Sequence, residues 1–554
     1  MKKFTLLTLG IILSTSFLMA GGLVHNTNQS AAWSRMLSRG ASVEIDAVYF
    51  NPAGLTKLGD GFHIGISSQS IFQTQTITST FPFLNEEKYT GKISAPVFPS
   101  VYLAYKTGKF VFSAGFLAIG GGGGATFDKG VPMMEVPIAS LVPAFGGPPT
   151  NVTGYSVNME FAGTSVYWGL QAGVSYEINE NVSIFAGARY IMAKNTYKGH
   201  IRDITLKFAE GPDQRADEFM VATAGVAEGY ALVATGAAES IAPAVTAGYG
   251  TLTWAQAVQN GILTELQSLQ LQGGLVQFGV PAEQVAGMDL QTAMGTYSGV
   301  ATSLDNQAAQ LLGGAALMGD QEGDITQTGS GITPIIGANL SFFEDKLNIG
   351  LKYEFQTKMD LTNKVDPNKG FAIGMNPDGT PIYMFPDGAK TNADIPAMAS
   401  IGVDYRIIEP LKVSVTYHTY FDKNTGWAKT AEDNKKPEID KNFWEFAVGL
   451  EYSITDNFLL SGGYLRAQTG VTQAYQSNLG FSLTTNTMAF GGAYKINDMF
   501  RLNLGGYYTM YDEQTYDMGY APMGSEIVIP YKETYLKSTF AVAIGVDIAI
   551  GAKK

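Results

Sequence analysis

The stretch FAVAIGVDIAI (540–550) alternates strictly between large apolar side chains and small or polar ones. Successive side chains of a β-strand point to opposite faces, so this pattern predicts a strand with one apolar face. The stretches LNIGLKYEFQTKM (347–359) and WEFAVGLEY (444–452) follow the same rule. Strands that separate lipid from a polar interior have this pattern, although strands of a soluble sandwich also alternate.

The composition favours an exported membrane protein. Charged residues make up 15% of the 554 residues, against about 25% in ordinary soluble domains. Residues 1–20 have the basic start, apolar run and small-residue end of a signal peptide, with cleavage expected after Ala20. No later stretch offers about 20 continuous apolar residues, so we predict no transmembrane helix. An exported, charge-poor chain of this kind predicts an outer-membrane barrel.

The turn pattern separates a barrel from a sandwich. Short turns near Thr107, Asn179, Glu344, Glu409 and Thr455, and again at Ile496, each join two alternating runs, and long polar connections lie between these hairpins. We therefore predict an all-β membrane protein, an antiparallel outer-membrane barrel of about 14 strands with the short turns on the periplasmic side. The predicted strands are 62–79, 97–106, 109–120, 164–178, 182–205, 326–343, 346–363, 391–407, 411–422, 441–454, 458–467, 478–495, 500–513 and 535–550.

One connection is far longer than the others. Residues 207–325 are rich in Ala, Gly and Gln and lack strand alternation. Within them, Val258, Ile262, Leu266 and Leu269 have helical spacing. This pattern predicts a partly helical extracellular cap, with a separate soluble domain as the alternative.

The sequence predicts a protein that is not an enzyme, with no cofactor and no metal site. The absence of Cys excludes thiolate catalysis and Cys-ligated metals, and the net charge of −13 disfavours nucleic acid as a partner. His418 shares a strand face with Ser414 and Thr416, which is compatible either with a Ser/His site or with polar residues lining a lumen. No G-x-S-x-G elbow, H-E-x-x-H motif or phosphate loop is present.

Inward charges and a run of glycines are the remaining signals. A charge facing lipid costs about 2–4 kcal/mol, so charged residues within strands should face the lumen and pair there, where an unpaired base could hold a carboxylate. The charged residues expected to face inward are Arg189, Lys352, Glu354, Asp404, Glu445, Glu451, Arg466 and Asp547, and Tyr464 falls on the same parity. The glycine run consists of Gly120, Gly121, Gly122, Gly123 and Gly124. It predicts either a kink that opens the wall or a flexible start to a loop.

The stretch NQSAAWSRMLSRGASVEIDAVYFNPAGLTKLGDG (28–61) resembles the N-terminal region of the FadL family of outer-membrane transporters, which carry long-chain fatty acids and aromatic hydrocarbons. The resemblance implies a signal peptide (1–20), a hatch inside the barrel (21–60) and a barrel domain (61–554). It assigns the hatch motif to Asn51, Pro52, Ala53 and Gly54, and a lateral opening to the glycine run. It offers Lys194 as a head-group contact. Strand parity puts Lys194 and the inward-facing Arg189 on opposite faces unless a bulge intervenes, so Arg189 is the second candidate for this contact.

The resulting hypothesis is an outer-membrane transporter that takes up hydrophobic ligands by diffusion, above all long-chain fatty acids, with lateral exit at a kinked third strand. Its partners would be a hydrophobic small molecule and outer-membrane lipid, and the protein would be a monomer. The alternatives are uptake of aromatic hydrocarbons, a structural or adhesive barrel, and an aqueous porin.

Overall fold

The computed structural model describes residue 25 and residues 30–376, 379–425, 438–522 and 527–553. These residues include the whole predicted barrel wall and the cap. The predicted signal peptide lies outside them.

Fourteen antiparallel strands close into a barrel, as the sequence predicts. The last strand, β14, pairs with the first, β1, over almost its whole length, and this pairing closes the sheet. The strands are β1 (Asp60–Ser79), β2 (Lys88–Thr107), β3 (Phe110–Phe127), β4 (Val152–Asn179), β5 (Val182–Phe208), β6 (Gln321–Phe342), β7 (Leu347–Glu354, resuming at Asp360–Gly370), β8 (Lys390–Asn392, resuming at Met398–Ile408), β9 (Leu411–Tyr420), β10 (Phe443–Ser453), β11 (Phe458–Gln468), β12 (Thr485–Lys495), β13 (Phe500–Tyr511, resuming at Gln514–Tyr520) and β14 (Ile529–Lys553).

The outer face of the wall is apolar and exposed, and the inner face is buried. On β14, Ile544 is 62% exposed, whereas the neighbouring Ala541 and Ala543 are at most 2% exposed. Leu504 of β13 and Phe490 of β12 are similarly exposed, at 63% and 65%. An apolar exterior around a closed sheet suits contact with lipid, because the pairing of the first and last strands removes the free edges of the sheet.

The two ends of the barrel differ. Short turns join β2 to β3, β4 to β5, β6 to β7 and the later hairpins at one end, and the long connections all lie at the other end. The predicted assignment of short and long connections is therefore confirmed. Strands β2 and β4 begin earlier than predicted, at Lys88 and Val152, because both extend beyond the apolar band into the long-loop end.

Residues 30–58, which we call the plug, lie inside the barrel. They form helix α1 (Ala31–Met36), helix α2 (Ala47–Phe50) and a 3₁₀ helix (Pro52–Lys57). Ser30 caps α1 by accepting a hydrogen bond from the backbone N–H of Trp33, and Leu37 ends it in the left-handed conformation with φ of 64°. Almost every plug side chain is buried, including Arg35 and Arg39.

Helices form most of the cap and part of the β3–β4 connection. The connection holds α3 (Pro132–Ala139) and α4 (Leu141–Phe145). The cap holds α5 (Ala216–Ala244, with a π-helical turn at Val245–Tyr249), α6 (Trp254–Gln259), α7 (Glu265–Gln277), α8 (Ala282–Ala286) and α9 (Leu290–Met318). Small secondary elements complete the long-loop end: strands Gln214–Arg215, Ala372–Met375 and Pro381–Tyr383, and 3₁₀ turns Asp422–Asn424 and Gln473–Tyr475.

The cap is more helical than the sequence suggested. Helices α5 and α9 are 29 residues each and pack along one another through small side chains such as Ala234 and Ala301. The predicted apolar stripe is wrong, since the chain turns at Gly261 (φ 71°) and a new helix begins behind a capping box at Thr264. Leu266 and Leu269 are therefore exposed, at 66% and 60%.

One cap helix differs from the sequence-based expectation in another way. The helical segment Ala216–Tyr249 is long and apolar enough to cross a membrane by length and composition alone. It starts after β5 and the short strand Gln214–Arg215 at the long-loop end and packs against α9, so in this structure it is part of the cap.

Candidate functional site

Inward-facing glycines of the wall make room for the plug backbone. A side-chain carbon at Gly402 of β8 would overlap the backbone of Gly40, and one at Gly463 of β11 would overlap the carbonyl oxygen of Met36. At Gly505 of β13, the added carbon would lie 2.6 Å from the backbone nitrogen of Arg35. The described part of the plug therefore rests directly on the wall along β8, β11 and β13. The sequence signal for this contact is a set of glycines at inward positions of the late strands.

Buried ion pairs connect the plug to the wall. Arg35 pairs with Glu451 of β10, and Arg501 of β13 pairs with Glu44 at 2.6 Å. Within the plug, Arg39 lies 2.6 Å from Asp46 and 2.5 Å from Glu44. Arg35 and Arg39 are buried and Arg501 is partly buried, and removing one partner of a buried pair leaves an uncompensated charge. The pairs therefore fix the plug in one position.

The predicted hatch motif is a turn bonded to three strands. The side-chain amide of Asn51 donates to the Ser42 carbonyl at 3.1 Å and to the Asn339 side chain of β6 at 2.8 Å. The carbonyl of Pro52 accepts from the hydroxyl of Ser175 on β4 at 2.7 Å.

The next two motif residues extend this attachment. The Ala53 carbonyl accepts from the hydroxyl of Ser183 on β5 at 2.7 Å. A side-chain carbon at Gly54 would lie 2.5 Å from both the Asn51 amide nitrogen and the Ser42 carbonyl oxygen, so the turn has no room for one. The motif thus joins the end of the plug to β4, β5 and β6, and its role in transport stays a prediction.

Arg189 faces the lumen but is fully engaged. Its guanidinium donates to both oxygens of Glu354 at 2.7 and 2.9 Å and to the side-chain oxygen of Gln171 at 2.8 Å. Lys352 approaches the same carboxylate at 2.9 Å and donates to the Tyr49 carbonyl of the plug at 2.7 Å. This cluster holds the plug against β5 and β7, and its two cations, Arg189 and Lys352, share the single carboxylate of Glu354.

Lys194 lies on the opposite face of β5 from Arg189 and is exposed. The structure does not bring these two candidate head-group residues together. A bound carboxylate would have to displace Glu354 from Arg189, or meet Lys194 outside the barrel wall.

The predicted inward set is correct except on β11. Asp404, Glu445 and Glu451 are buried, and His418 lies 3.1 Å from Glu445, which makes it a paired residue of the lumen lining.

Arg466 and Tyr464, in contrast, face outward. Gly463 faces the plug, which fixes the parity of β11 and turns its even-numbered residues to the outside. Arg466 pairs there with Asp512 at 3.1 Å, toward the long-loop end of the wall. A charged pair at this height lies where polar groups are tolerated on a barrel exterior.

The wall has a gap between β2 and β3. The two strands pair from Thr107 to Ser100 of β2, and pairing resumes only at Ile93, so that residues 94–99 have no partner on β3. Pro96 and Pro99 lie within this stretch and have no N–H to donate. Along the same stretch β2 remains paired with β1, apart from a bulge between Gln69 and Ile71. Only one side of β2 is therefore open.

The glycine run forms the other edge of the gap. Leu117, Ala118, Ile119 and Gly120 are all buried, so the usual alternation is lost and β3 runs toward the interior. Gly121 has a φ of 89°, and a side chain there would overlap the carbonyl oxygen of Ser165 on β4. The register with β4 is irregular on both sides of Gly120. These features agree with the kinked reading of the run, while its role as a ligand exit is not tested by them.

Aromatic side chains fill the gap. The ring of Phe98 on β2 is 6.0 Å from that of Trp168 on β4, although β3 lies between these strands in the sheet. Trp168 also stacks on Phe116 of β3 at 5.1 Å. Phe98 is only 7% exposed. A side chain from β2 can reach β4 because β3 is displaced inward.

Two apolar clusters occupy the interior between the plug and the long loops. The first joins plug residues such as Val48 and Leu55 to Leu117 and Ile119 at the gap. The second lines the barrel interior at the long-loop end, with residues from seven strands and from the loops between them. Its members are Ile77, Tyr89, Phe127, Val131, Phe161, Tyr197, Ile325, Phe371, Phe385, Phe481, Leu483 and Tyr535. The mouth, the plug and the gap are therefore lined by apolar and aromatic groups.

No protein-family model and no curated protein matches the chain. Among solved structures, a FadL homologue from Pseudomonas aeruginosa is similar over 96% of this chain and 99% of its own, at 12% identity and a TM-score of 0.54. The Pseudomonas putida toluene transporter TodX aligns over 96% of this chain and 100% of its own, at 12% identity and a TM-score of 0.48. The Ralstonia pickettii toluene transporter TbuX aligns over 94% and 96%, at 12% identity and a TM-score of 0.43. The first of these similarities, together with the closed barrel of 14 strands, shows that the chain has the fold of a FadL-type outer-membrane β-barrel.

Proposed function

We propose that the protein takes up hydrophobic ligands across the outer membrane by diffusion, above all long-chain fatty acids, and releases them sideways through the gap between β2 and β3. The observation that carries this proposal is the interruption of the β2–β3 ladder, from Ile93 to Ser100 on β2, beside a third strand that runs inward. Interrupting the pairing of two wall strands costs backbone hydrogen bonds. An opening through which ligand passes would be a functional reason for this interruption.

The route has three parts. An apolar ligand would enter the aromatic cluster at the mouth, which includes Phe127 and Phe481. It would move down to the apolar cluster above the plug and turn at Leu117 and Ile119 toward the gap. Axial passage is opposed by the plug, whose backbone rests on Gly402 and the other inward glycines. The N-terminal segment 21–60 would thus act as a hatch, in a barrel that works as a monomer surrounded by lipid.

No energy-coupling step is needed in this scheme. Transfer of apolar surface from water into an apolar pathway is favourable by roughly 25 cal/mol per Å², and the membrane interior offers the ligand a comparable environment at the exit. The concentration of ligand in the two compartments then sets the direction. Aromatic hydrocarbons would be able to use the same path, and competition between a hydrocarbon and a fatty acid for uptake measures which is preferred.

The test blocks the gap without disturbing the fold. Val97 lies in the unpaired stretch of β2 and is 70% exposed, so the variant Val97→Trp adds bulk at the opening with no buried neighbour to displace. The matched control is Leu103→Trp, on the outer face of the paired part of the same strand, where Leu103 is 44% exposed.

Uptake of a labelled fatty acid by liposomes that contain each purified barrel is the measurement, with folding checked by the shift in gel mobility on heating. We expect slower uptake for Val97→Trp and unchanged uptake for Leu103→Trp. Equal rates for both folded variants would remove the lateral route.

A further inference from the structure

The structure places an unpaired lysine inside the barrel mouth. Lys537 lies on the inward face of β14, between Tyr535 and Thr539, which are 1% and 6% exposed. Its ammonium donates one hydrogen bond, to the Phe481 carbonyl at 2.6 Å, and lies 4.0 Å from the centre of the Phe481 ring. No carboxylate among the described residues pairs with it.

This situation is unusual for the lumen of this barrel. Among the described residues, the other arginines and lysines that face the lumen have acidic partners, as Arg189 has Glu354 and Lys412 has Glu451. Lys106 is the exception, and its ammonium is held by the backbone carbonyls of Thr56 and Leu58. A half-buried ammonium with one hydrogen bond has donors left over, because an ammonium carries three.

The surroundings of Lys537 suit one end of an amphipathic molecule. Phe481 and Tyr535, whose rings are 4.8 Å apart, belong to the aromatic cluster at the mouth, as does Ile77. Gln75 of β1 is the register partner of Lys537 and offers a polar side chain on the same inner face. A cation and an amide beside an apolar wall can hold a carboxylate whose hydrocarbon tail lies along that wall.

We propose that Lys537 binds the carboxylate of a long-chain carboxylic acid at the entrance of the pathway. This inference rests on the proposed function, since it names the head-group contact of the ligand that enters the mouth. It also distinguishes between ligand classes, because a neutral hydrocarbon has no group for the ammonium to bind. The site lies on a different strand from Arg189 and Lys194, the two basic residues that the sequence suggested.

The experiment compares two ligands and four proteins. The ligands are a long-chain fatty acid and its methyl ester, which share the tail and differ in charge. The proteins are the wild type, Lys537→Met, Lys537→Arg and Lys194→Met. Methionine keeps the length and the contact with Phe481 while removing the charge, and Lys194→Met makes the same change on the outer face of the barrel. Affinity is measured by quenching of protein fluorescence and uptake by liposome assay, both on folded barrel.

We expect Lys537→Met to weaken fatty-acid binding by about 10-fold or more, in line with the loss of a charge-assisted hydrogen bond, and to leave ester binding unchanged. Lys194→Met should leave both unchanged, and Lys537→Arg should restore most of the affinity for the acid. If Lys537→Met weakens acid and ester binding equally, or changes neither, the assignment of Lys537 is wrong. The proposed function would still be supported in that case, provided that the wild type takes up the ligand. Failure of the wild type to bind or take up either ligand would overturn both.

Discussion

Because the plug backbone contacts glycines of the wall, we predict that adding one methyl group at such a glycine displaces the plug from the wall. In Gly463→Ala, the new carbon would overlap the Met36 carbonyl oxygen and lie 2.6 Å from the Met36 carbonyl carbon, where ordinary contact begins near 3.4 Å. Both atoms belong to backbone, so no side chain can rotate away, and α1 has to withdraw from β11. Overpacking of this kind costs about 1–3 kcal/mol. Since about 1.4 kcal/mol corresponds to a factor of ten, the unseated population should rise roughly 5- to 150-fold.

The neighbouring residue provides the matched control. Gly462 is on the same strand but faces outward, and a carbon added there meets its nearest atom, the Ala489 carbonyl oxygen, at 3.4 Å. The assay is ion conductance of single barrels in planar bilayers, together with protease access to the plug. Gly463→Ala should show frequent open events and Gly462→Ala should behave as the wild type. Equal conductance of the two folded variants would refute the claim that close contact at Gly463 seats the plug.

Three further predictions concern the gap, the buried charges and the cap. Phe98→Ala should widen the gap and speed uptake, whereas Leu103→Ala on the same strand should not; unchanged rates would mean that the ring does not obstruct the exit. Glu354→Gln should lower the free energy of unfolding in urea by about 3–5 kcal/mol, because Arg189 is left with no carboxylate; a loss below 1 kcal/mol would contradict this. Replacing 216–319 by a short linker should leave a folded barrel with unchanged uptake at saturating ligand, and a barrel that fails to fold would show that the cap is structural.

The sequence predicted the barrel wall because alternation and turn chemistry are local. Each strand shows its lipid-facing residues at every second position, and this pattern can be read from a short stretch such as 540–550. The beginnings of β2 and β4 were missed because, beyond the apolar band, the outward residues become polar while apolar residues such as Tyr89 and Phe161 face inward, which reverses the pattern. The long cap helices were missed because their shared interface consists of alanines, which differ little from the alanines on their exposed faces.

The candidate site was predicted less completely, because it depends on contacts between distant parts of the chain. The glycine run was identified, but the missing β2–β3 ladder and the position of Phe98 require the fold. Arg189 was correctly placed in the lumen, yet its pairing with Glu354, 165 residues away, could not be read from either residue alone. Lys537 was not considered, since a lysine without a partner is recognised only when all possible partners have been located.

Photo-crosslinking tests whether ligand leaves laterally between β2 and β3. A fatty acid with a diazirine near the end of its tail would be loaded onto the barrel in a lipid bilayer, irradiated, and its attachment sites mapped by mass spectrometry. Lateral exit predicts label on residues 94–99 of β2 and 117–124 of β3, decreasing in Val97→Trp. Label confined to the plug and the short-turn end, around Lys57 and Lys106, would show that the ligand leaves along the barrel axis and would contradict the lateral route.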